Sequence, residues 1–315
     1  MAKKQSDKQA EITTNEEAGY HVPVLLKESV EALSLKPDGV YVDCTFGGGG
    51  HSREILKALG PKGKLVAFDQ DADAASNLPK DERVVFIPQN FRHVQRFLRL
   101  YGIEKVEGLL ADLGVSSHQF DEGSRGFSYR FDAMLDMRMD QKQKKTAADI
   151  LNRYDAAQLQ QMFSSYGEVT NSKTLATAIV AARTRQPFKT ISDLLRVLSA
   201  FAKGNPNRYY SQVFQALRIE VNEELDALKD LLNQLVTIVK PGGRIAIITF
   251  HSLEDRMVKQ FLKQGSFEIT EDPLYGGQGV SPFTLVSKKP IVASKEELNK
   301  NVRSRSASLR VAEIK

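Results

Sequence analysis

The sequence has little of what secreted, membrane-spanning or cysteine-stapled proteins contain. Its 315 residues include a single cysteine, Cys44, which excludes an internal disulfide and a cysteine-based zinc site. The longest nearly apolar run, residues 245–250, is far shorter than the roughly 20 residues that a membrane helix requires. Residues 1–20 lack the apolar core of a signal peptide. These absences predict a cytoplasmic protein without membrane attachment.

The composition is that of an ordinary globular protein, with 41% hydrophobic and 26% charged residues. The length fits two domains, or one core with a large insertion. The net charge of +5 is unevenly distributed. Residues 138–218 hold 13 basic and 5 acidic residues, a net of +8 against −3 for the rest of the chain. A concentration of this kind is typical of a surface that binds a phosphate backbone, although a solvated helical surface would also account for it.

The order of predicted elements indicates an interrupted α/β fold. Residues 1–20 are polar and predict a disordered tail. Strands predicted at 40–43, 64–69, 83–87, 106–112 and 244–250 alternate with helices, which implies a doubly wound parallel sheet covered on both faces. We therefore predict one α/β domain from residues 21–135 and 217–315.

Between the fourth and fifth strands the pattern is helical. Residues 113–145 show no clear period, and the stretch after them carries two capping-box signatures, Thr146-x-x-Asp149 and Thr190-x-x-Asp193. No strand signal appears there. The sequence thus predicts an all-helical inserted domain at residues 136–216, which also carries most of the excess positive charge.

A glycine run joins the first strand to a helix. Residues 47–50 are all glycine, and glycines at this position allow a ligand to approach the backbone and the helix N-terminus closely. Asp69 ends the next strand, 19 residues beyond Gly50, where a carboxylate can accept hydrogen bonds from both ribose hydroxyls. A plain glycine turn with a helix-capping aspartate is the alternative.

The residues beside the glycine run indicate which class of ligand binds there. Ser52 stands where the dinucleotide fingerprint has its third glycine, and no phosphate-binding G-x-x-x-x-G-K-[ST] motif occurs. Asp43 precedes the glycines and suits a cationic amino acid, as in S-adenosylmethionine. Asp112 ends the fourth strand, where a side chain points into the ligand crevice, or alternatively caps a turn.

Together these stretches resemble the RsmH (MraW) family of S-adenosylmethionine-dependent methyltransferases. The matching stretches are residues 21–26 (HVPVLL), 43–52 (DCTFGGGGHS), 112–117 (DLGVSS), 125–128 (RGFS), 135–140 (LDMRMD), 214–219 (FQALRI), 250–256 (FHSLEDR) and 303–306 (RSRS). The resemblance implies methylation of the N4 amine of one cytidine in the decoding region of bacterial small-subunit ribosomal RNA. Ribosomal RNA or the small subunit would then be the partner, and the oligomeric state stays open.

The resemblance also implies roles for particular residues. The implied cofactor is S-adenosylmethionine, bound in a Rossmann-like methyltransferase sheet, while the helical insert recognises RNA. The residues implied for the cofactor are Gly49, Gly50 and His51 at the loop, Asp69 at the ribose, Phe91 at the adenine, and Asp112 with Gln119 completing the site. Asp112 is also the candidate acceptor for the reacting amine. His118 departs from the proline expected before Gln119.

Further residues are candidates for the substrate side. Arg125, Phe127 and Arg138 lie on the long loop after Asp112, where they would fold over cofactor or base, or stay solvated. In the basic segment the candidates are Lys144, Arg185 and Arg208. The last one, His251, precedes Ser252-x-x-Asp255, which by itself predicts an ordinary capping box.

Other functions stay open at this point. The five histidines show no ligand spacing, so no metal site is predicted. A non-catalytic RNA-binding or ribosome assembly factor that retains the sheet is one alternative. A dinucleotide-dependent oxidoreductase is the other, and it is disfavoured by Ser52.

Overall fold

The structure is a computed structural model that describes residues 23–267 and 281–315. The predicted disordered tail, residues 1–20, lies outside the described residues, as do the first two residues of the 21–26 stretch. Within the described ranges, no helix combines the length and apolarity that crossing a membrane requires.

A seven-stranded sheet forms the centre of the α/β part. Its strand order is β3-β2-β1-β4-β5-β7-β6, with β1 to β5 parallel and both β7 and β6 antiparallel to their neighbours. The strands are β1 (Val40–Asp43), β2 (Lys64–Phe68), β3 (Val84–Ile87), β4 (Val106–Asp112), β5 (Val239–Thr249), β6 (Phe283–Leu285) and β7 (Ser308–Ile314). This confirms the predicted Rossmann-like, doubly wound methyltransferase sheet.

Helices flank the sheet and fill the interval between β4 and β5. They are α1 (Leu26–Ala32), α2 (Gly50–Ala58), α3 (Val94–Leu100), α4 (Ser117–Asp121), α5 (Ala147–Arg153), α6 (Ala156–Gly167), α7 (Ser172–Arg183), α8 (Ile191–Leu198), α9 (Pro206–Asn222), α10 (Glu224–Ile238), α11 (Ser252–Gln264) and α12 (Lys295–Lys300). Residues 72–77, 91–93, 123–125 and 302–306 form 3-10 turns.

Strand side chains alternate between two apolar cores because successive residues of a strand point to opposite faces. Val42, Val66 and Leu109 pack on one face with α10 and α11, and their neighbours Tyr41, Leu65 and Leu110 pack on the other with α1 and α2. Both faces are therefore buried, and the polar groups of the α/β part are displaced to the strand ends.

The helices α5 to α9 enclose a separate apolar core, which includes Phe163, Ile179 and Leu217. The loop after β4 adds Phe127, Leu135, Met137 and Met139 to it, so this core begins before residue 136. The boundaries 136–216 stay a prediction for the insert. The loop is irregular because its apolar side chains serve long-range packing instead of a helical or strand period.

The capping predictions differ in outcome. Thr146 with Asp149 and Thr190 with Asp193 form reciprocal capping boxes, as predicted. The box predicted at Ser252 and Asp255 is wrong. It lies one residue earlier, between His251 and Glu254, because the Asp255 carboxylate is taken by Arg310 at 2.7 and 2.8 Å.

Asn222 connects the helical core to the loop after β4. Its buried side chain accepts from the Met139 N–H at 2.7 Å and donates to the Met137 carbonyl at 2.8 Å. We expect Asn222→Ala to lower the free energy of unfolding by about 2 kcal/mol, because buried backbone groups lose their partners. Urea denaturation measures this, with the exposed Asn207→Ala on the same helix as control. Equal stability of the two variants would contradict the assignment.

Candidate active site

A cavity of about 570 Å³ opens at the carboxyl edge of the parallel strands, where ligands bind in doubly wound folds. The loops after β1, β2 and β4 supply most of its lining, and α4 forms one wall. Asn222, Glu224, Phe250 and Glu254 line a second side, and Asn301 with Arg303 line a third. The sheet and the start of α10 thus meet around one pocket.

Glycine is required at two positions of the loop after β1. A Cβ atom on Gly50 would lie 2.1 Å from Cγ of Pro23, and one on Gly49 would lie 2.8 Å from the Phe46 ring. Gly49 also has a φ of 73°, in the left-handed region. Gly50 and His51 line the cavity, whereas Gly49 shapes the turn behind it. The loop is therefore a packed cradle.

Asp69 is held by backbone donors. Its Oδ2 accepts from the Gly47 N–H at 2.7 Å and its Oδ1 accepts from the Asp71 N–H at 2.9 Å. Burial raises the pKa of Asp69 to about 6, against the lowering effect of these two hydrogen bonds. Asp69 lines the cavity, as the predicted ribose ligand should.

Ser52 has a structural role that its place in the glycine motif did not reveal. Its hydroxyl donates to Oδ2 of the buried Asp43 at 2.6 Å, while Thr45 N–H donates to Oδ1 at 3.0 Å. Burial nevertheless raises the pKa of Asp43. A glycine at position 52 would leave this carboxylate short of a donor.

Asp112 and His51 face each other at the centre of the site. His51 Nδ1 lies 3.8 Å from Asp112 Oδ2, and the Asp112 N–H donates to the Thr45 hydroxyl at 2.7 Å. Asp112 Oδ1 and His51 Nε2 are buried without a hydrogen-bond partner among the described residues. Burial, then Asp43 and Glu254, raise the pKa of Asp112 well above its usual range, and burial lowers the pKa of His51. Unpartnered buried groups of this kind mark a place for a ligand.

Glu254 and Glu224 form an acidic side of the cavity that the sequence analysis missed. Glu254 Oε2 accepts from the Phe250 N–H at 2.8 Å, and Glu254 Oε1 lies 3.1 Å from His251 Nε2. Burial raises the pKa of Glu254, but His251 and Arg218 together hold it below its usual value. The only sequence signal for Glu254 was its position in the first turn of a predicted helix, and an acidic residue there is also typical of an ordinary helix start.

Arg218 neutralises part of this acidic side, since its guanidinium donates to both Glu224 oxygens at 2.8 and 3.0 Å. Ligand atoms of Glu224, His251 and Glu254 all lie within 4.8 Å of one another, which is close enough for a cation. Because Arg218 already supplies the positive charge, we assign no metal to this cluster. His251 itself does not line the cavity, and its Nε2 contacts Oε1 of Glu254.

Arg125, Phe127 and Arg138 lie behind the cavity wall instead of over the ligand. Arg125 is buried, pairs with Asp71 and Asp73 at 2.9 Å each, and donates to the Arg138 and Met139 carbonyls. Phe127 packs in the helical core, and Arg138 forms a fork with Asp136. The sequence analysis expected these residues to fold over the cofactor or base, or to stay solvated, whereas none of them lines the cavity.

Phe91 and Gln119 line the cavity, as predicted. Gln119 is buried, forms the capping box of α4 with Ser116, and donates to Asp71 at 2.7 Å. Asp71 therefore accepts a hydrogen bond from Gln119 and pairs with Arg125, and these contacts connect α4 to the loop after β2.

The basic candidates Lys144, Arg185 and Arg208 are exposed on the helical part, away from the cavity lining. Across the described residues, none of them forms an ion pair within 4.0 Å. The same holds for the exposed Lys142, Lys173, Lys189 and Lys203. The corner between α6 and α7 lies next to α11, because Ser252 donates to Glu168 at 3.4 Å.

The sequence is similar to known proteins along most of its length. The MraW methylase family matches residues 18–315. This chain belongs to that family. It is 54% identical over 296 residues to the ribosomal RNA small subunit methyltransferase H of Parabacteroides distasonis, covering 93% of this chain and 97% of the relative. Identity to the protein of the same name from Cytophaga hutchinsonii is 57% over 299 residues, covering 93% and 99%.

Solved structures are more distant. An rRNA methylase from Streptococcus thermophilus is 12% identical, with a TM-score of 0.39, over 94% of this chain and 99% of that one. A likeness of this size bears on neither fold nor function, so the family assignment depends on the sequence relatives.

A methylase of this family uses S-adenosylmethionine, and the cavity residues fit this cofactor. Its sulfonium and ammonium groups are cations, and the buried oxygen of Asp112 without a partner is an acceptor for such a charge. The close-packed loop at Gly50 leaves backbone instead of side chain toward the ligand. Gly50, His51, Asp69, Phe91, Asp112 and Gln119 all line the one cavity, and their individual roles stay predictions.

The raised pKa of Asp69 predicts a pH-dependent cofactor affinity. Only the carboxylate accepts from both ribose hydroxyls, so binding should weaken as pH falls through about 6. We expect S-adenosylhomocysteine to bind about tenfold more weakly at pH 5 than at pH 7, measured by calorimetry. Asp69→Asn should bind weakly and lose this dependence, whereas Asp73→Asn, in the same cavity, should keep it. A wild-type affinity that is flat with pH would contradict the role.

Proposed function

We propose that this protein transfers a methyl group from S-adenosylmethionine to the N4 amine of a cytidine in the decoding region of bacterial small-subunit ribosomal RNA. The observation that carries the proposal is Asp112, a half-buried carboxylate whose buried Oδ1 has no partner among the described residues, beside the glycine cradle. Family membership supports the methyl transfer, the relatives' names support the small-subunit RNA, and the resemblance supports N4. Such a substrate implies a cytoplasmic location.

The acceptor amine sets the chemical problem. The lone pair of a cytosine N4 amine is delocalised into the ring, so the amine is a poor nucleophile. Bound S-adenosylmethionine supplies an electrophilic methyl group on a positively charged sulfur. The protein must then contribute orientation, which can be worth about 7–11 kcal/mol, and acceptors placed where the amine hydrogens become more acidic.

Asp112 is the best-placed acceptor for the amine. Its backbone N–H is fixed by the Thr45 hydroxyl at 2.7 Å, which sets the carboxylate at the carboxyl end of β4. Burial, with Asp43 and Glu254, raises the pKa of Asp112, which makes its carboxylate a stronger base toward a proton released by the amine. His51 faces Asp112, and burial lowers the pKa of its imidazole.

The target base must leave its stack to reach this position. Bases in an A-form RNA helix are hidden, so enzymes that modify a base bind a splayed nucleotide in a pocket. A cavity of about 570 Å³ lies in the size range of small-molecule sites. Phe250 and Glu254 line the side away from the Asp69 loop and are candidates to contact the base.

The helical part is proposed to hold the RNA backbone. Lys144, Arg185 and Arg208 are exposed and form no ion pair within the described residues, which leaves them available to phosphates. One end of this part lies beside the cavity, because Glu168 contacts Ser252 at the start of α11.

Removing the Asp112 charge should abolish transfer without unfolding the protein. We expect Asp112→Asn to lower single-turnover methylation by about 100-fold or more, as loss of one electrostatic contact to a reacting group does. Burial raises the pKa of Asp112, so the ionised carboxylate destabilises the unliganded fold. The Asp112→Asn variant should therefore melt at a higher temperature than the wild-type protein at pH 8. Near-normal turnover would rule out this role.

Charge reversal tests the RNA surface. Lys144→Glu, Arg185→Glu and Arg208→Glu together should weaken binding to small subunits at least tenfold and flatten its salt dependence, because phosphate contacts are lost. The matched control reverses the exposed Lys57, Lys62 and Lys64 on the α/β part, with the same change in net charge. Equal loss in both triple variants would show that net charge alone is responsible.

The function itself is tested by product mapping. The protein is incubated with methyl-labelled S-adenosylmethionine and small subunits lacking the modification, and the labelled nucleoside is identified. We expect label on N4 of one decoding-region cytidine. Label on another atom would refute the N4 assignment, and RNA binding without methyl transfer would favour the assembly-factor alternative.

A further inference from the structure

The RSRS stretch at residues 303–306 has no role in the function described above. It begins in the 3-10 turn between α12 and β7, and that turn is firmly held. Ser304 is buried and its hydroxyl donates to the Asn301 carbonyl at 2.6 Å. Glu297 on α12 accepts from the Leu25 N–H at 2.8 Å, next to the start of α1. Arg303 is thereby brought to the cavity, which it lines together with Asn301.

The charges around the cavity make Arg303 distinctive. The described lining includes six carboxylates: Asp69, Asp73, Asp112, Asp121, Glu224 and Glu254. Arg303 is the one guanidinium or ammonium group among the described lining residues. A negative cavity attracts a cation and repels an anion, so any anionic group of a ligand needs a specific positive partner here.

One N–H edge of the Arg303 guanidinium is hydrogen-bonded, and a donor on the other edge has no acceptor among the described residues. Its Nη2 donates to Oδ1 of Asp121 at the end of α4, and its plane lies 5.2 Å from the centre of the Phe120 ring. Its Nη1 is buried and has no hydrogen-bond partner among the described residues. A guanidinium normally binds oxyanions through two parallel N–H groups, so an anchored guanidinium with an orphaned donor is prepared for a second acceptor.

We infer that Arg303 is the residue that binds an oxyanion at this cavity. The side chain is 33% exposed, so it lies at the mouth, where an entering ligand meets it. Two sources share this chemistry: the carboxylate of the cofactor's methionine moiety, and a phosphate of the target nucleotide. The inference rests on the proposed function, since both sources belong to that reaction.

The test measures binding instead of turnover. Arg303→Ala and Arg303→Lys are compared with Arg305→Ala, which removes an exposed arginine two residues away. Calorimetry measures the affinity for S-adenosylmethionine and for its decarboxylated form, and filter binding measures the affinity for small subunits lacking the modification. If the anion is the carboxylate, Arg303→Ala should lose about tenfold or more for S-adenosylmethionine and nothing for the decarboxylated form.

If the anion is a phosphate, both cofactor affinities should stay unchanged, while subunit binding falls about tenfold and its salt dependence flattens. Arg303→Lys keeps the charge but not the fork, and should show a smaller loss in the same arm. If Arg303→Ala fails to fold, the Arg303→Lys variant distinguishes the carboxylate from the phosphate. Arg303 variants that bind all three ligands as Arg305→Ala does would overturn the inference. Wild-type protein that binds no S-adenosylmethionine would instead refute the proposed function.

Discussion

The site depends on carboxylates that are buried or half-buried without enough positive charge around them. Asp43, Asp69 and Asp112 end three neighbouring parallel strands, and burial raises the pKa of all three. The donors nearby are neutral: the Ser52 hydroxyl and the backbone N–H groups of Thr45 and Gly47. Such donors reduce the cost of burying negative charge but do not remove it. A cationic ligand completes the site, which is why the fold supports a sulfonium cofactor better than a dinucleotide.

The helical part and the cavity are joined by shared residues. Arg125 pairs with Asp71 behind the cavity while holding the carbonyls of residues 138 and 139, which enter the helical core. Asn222 lines the cavity and also fixes Met139. The helical core therefore meets the α/β part at polar contacts around the pocket.

The sequence was sufficient where a local pattern determines the structure. Alternating strands and helices predicted the sheet because each strand is apolar on both faces. Gly50 and Asp69 line the cavity because the motif that carries them has a fixed place in such a sheet, and their roles stay predictions. Glu254 was missed because a buried acid at a helix start has the same local pattern as an ordinary cap. Arg125 and Phe127 were misplaced because their partners, Asp73 and the helical core, are distant in sequence. The antiparallel β7, which pairs with β5, was not predicted either.

The central claim is that a positively charged ligand stabilises the ionised form of the carboxylates in this cavity. Proton release on ligand binding tests this claim most directly. S-adenosylmethionine and S-adenosylhomocysteine differ by the sulfonium methyl and its charge. Calorimetry at pH 6 in buffers of different ionisation enthalpy counts the protons released by each ligand. The account predicts that S-adenosylmethionine releases more, because its charge favours the ionised form of Asp112. Equal release by the two ligands would contradict it.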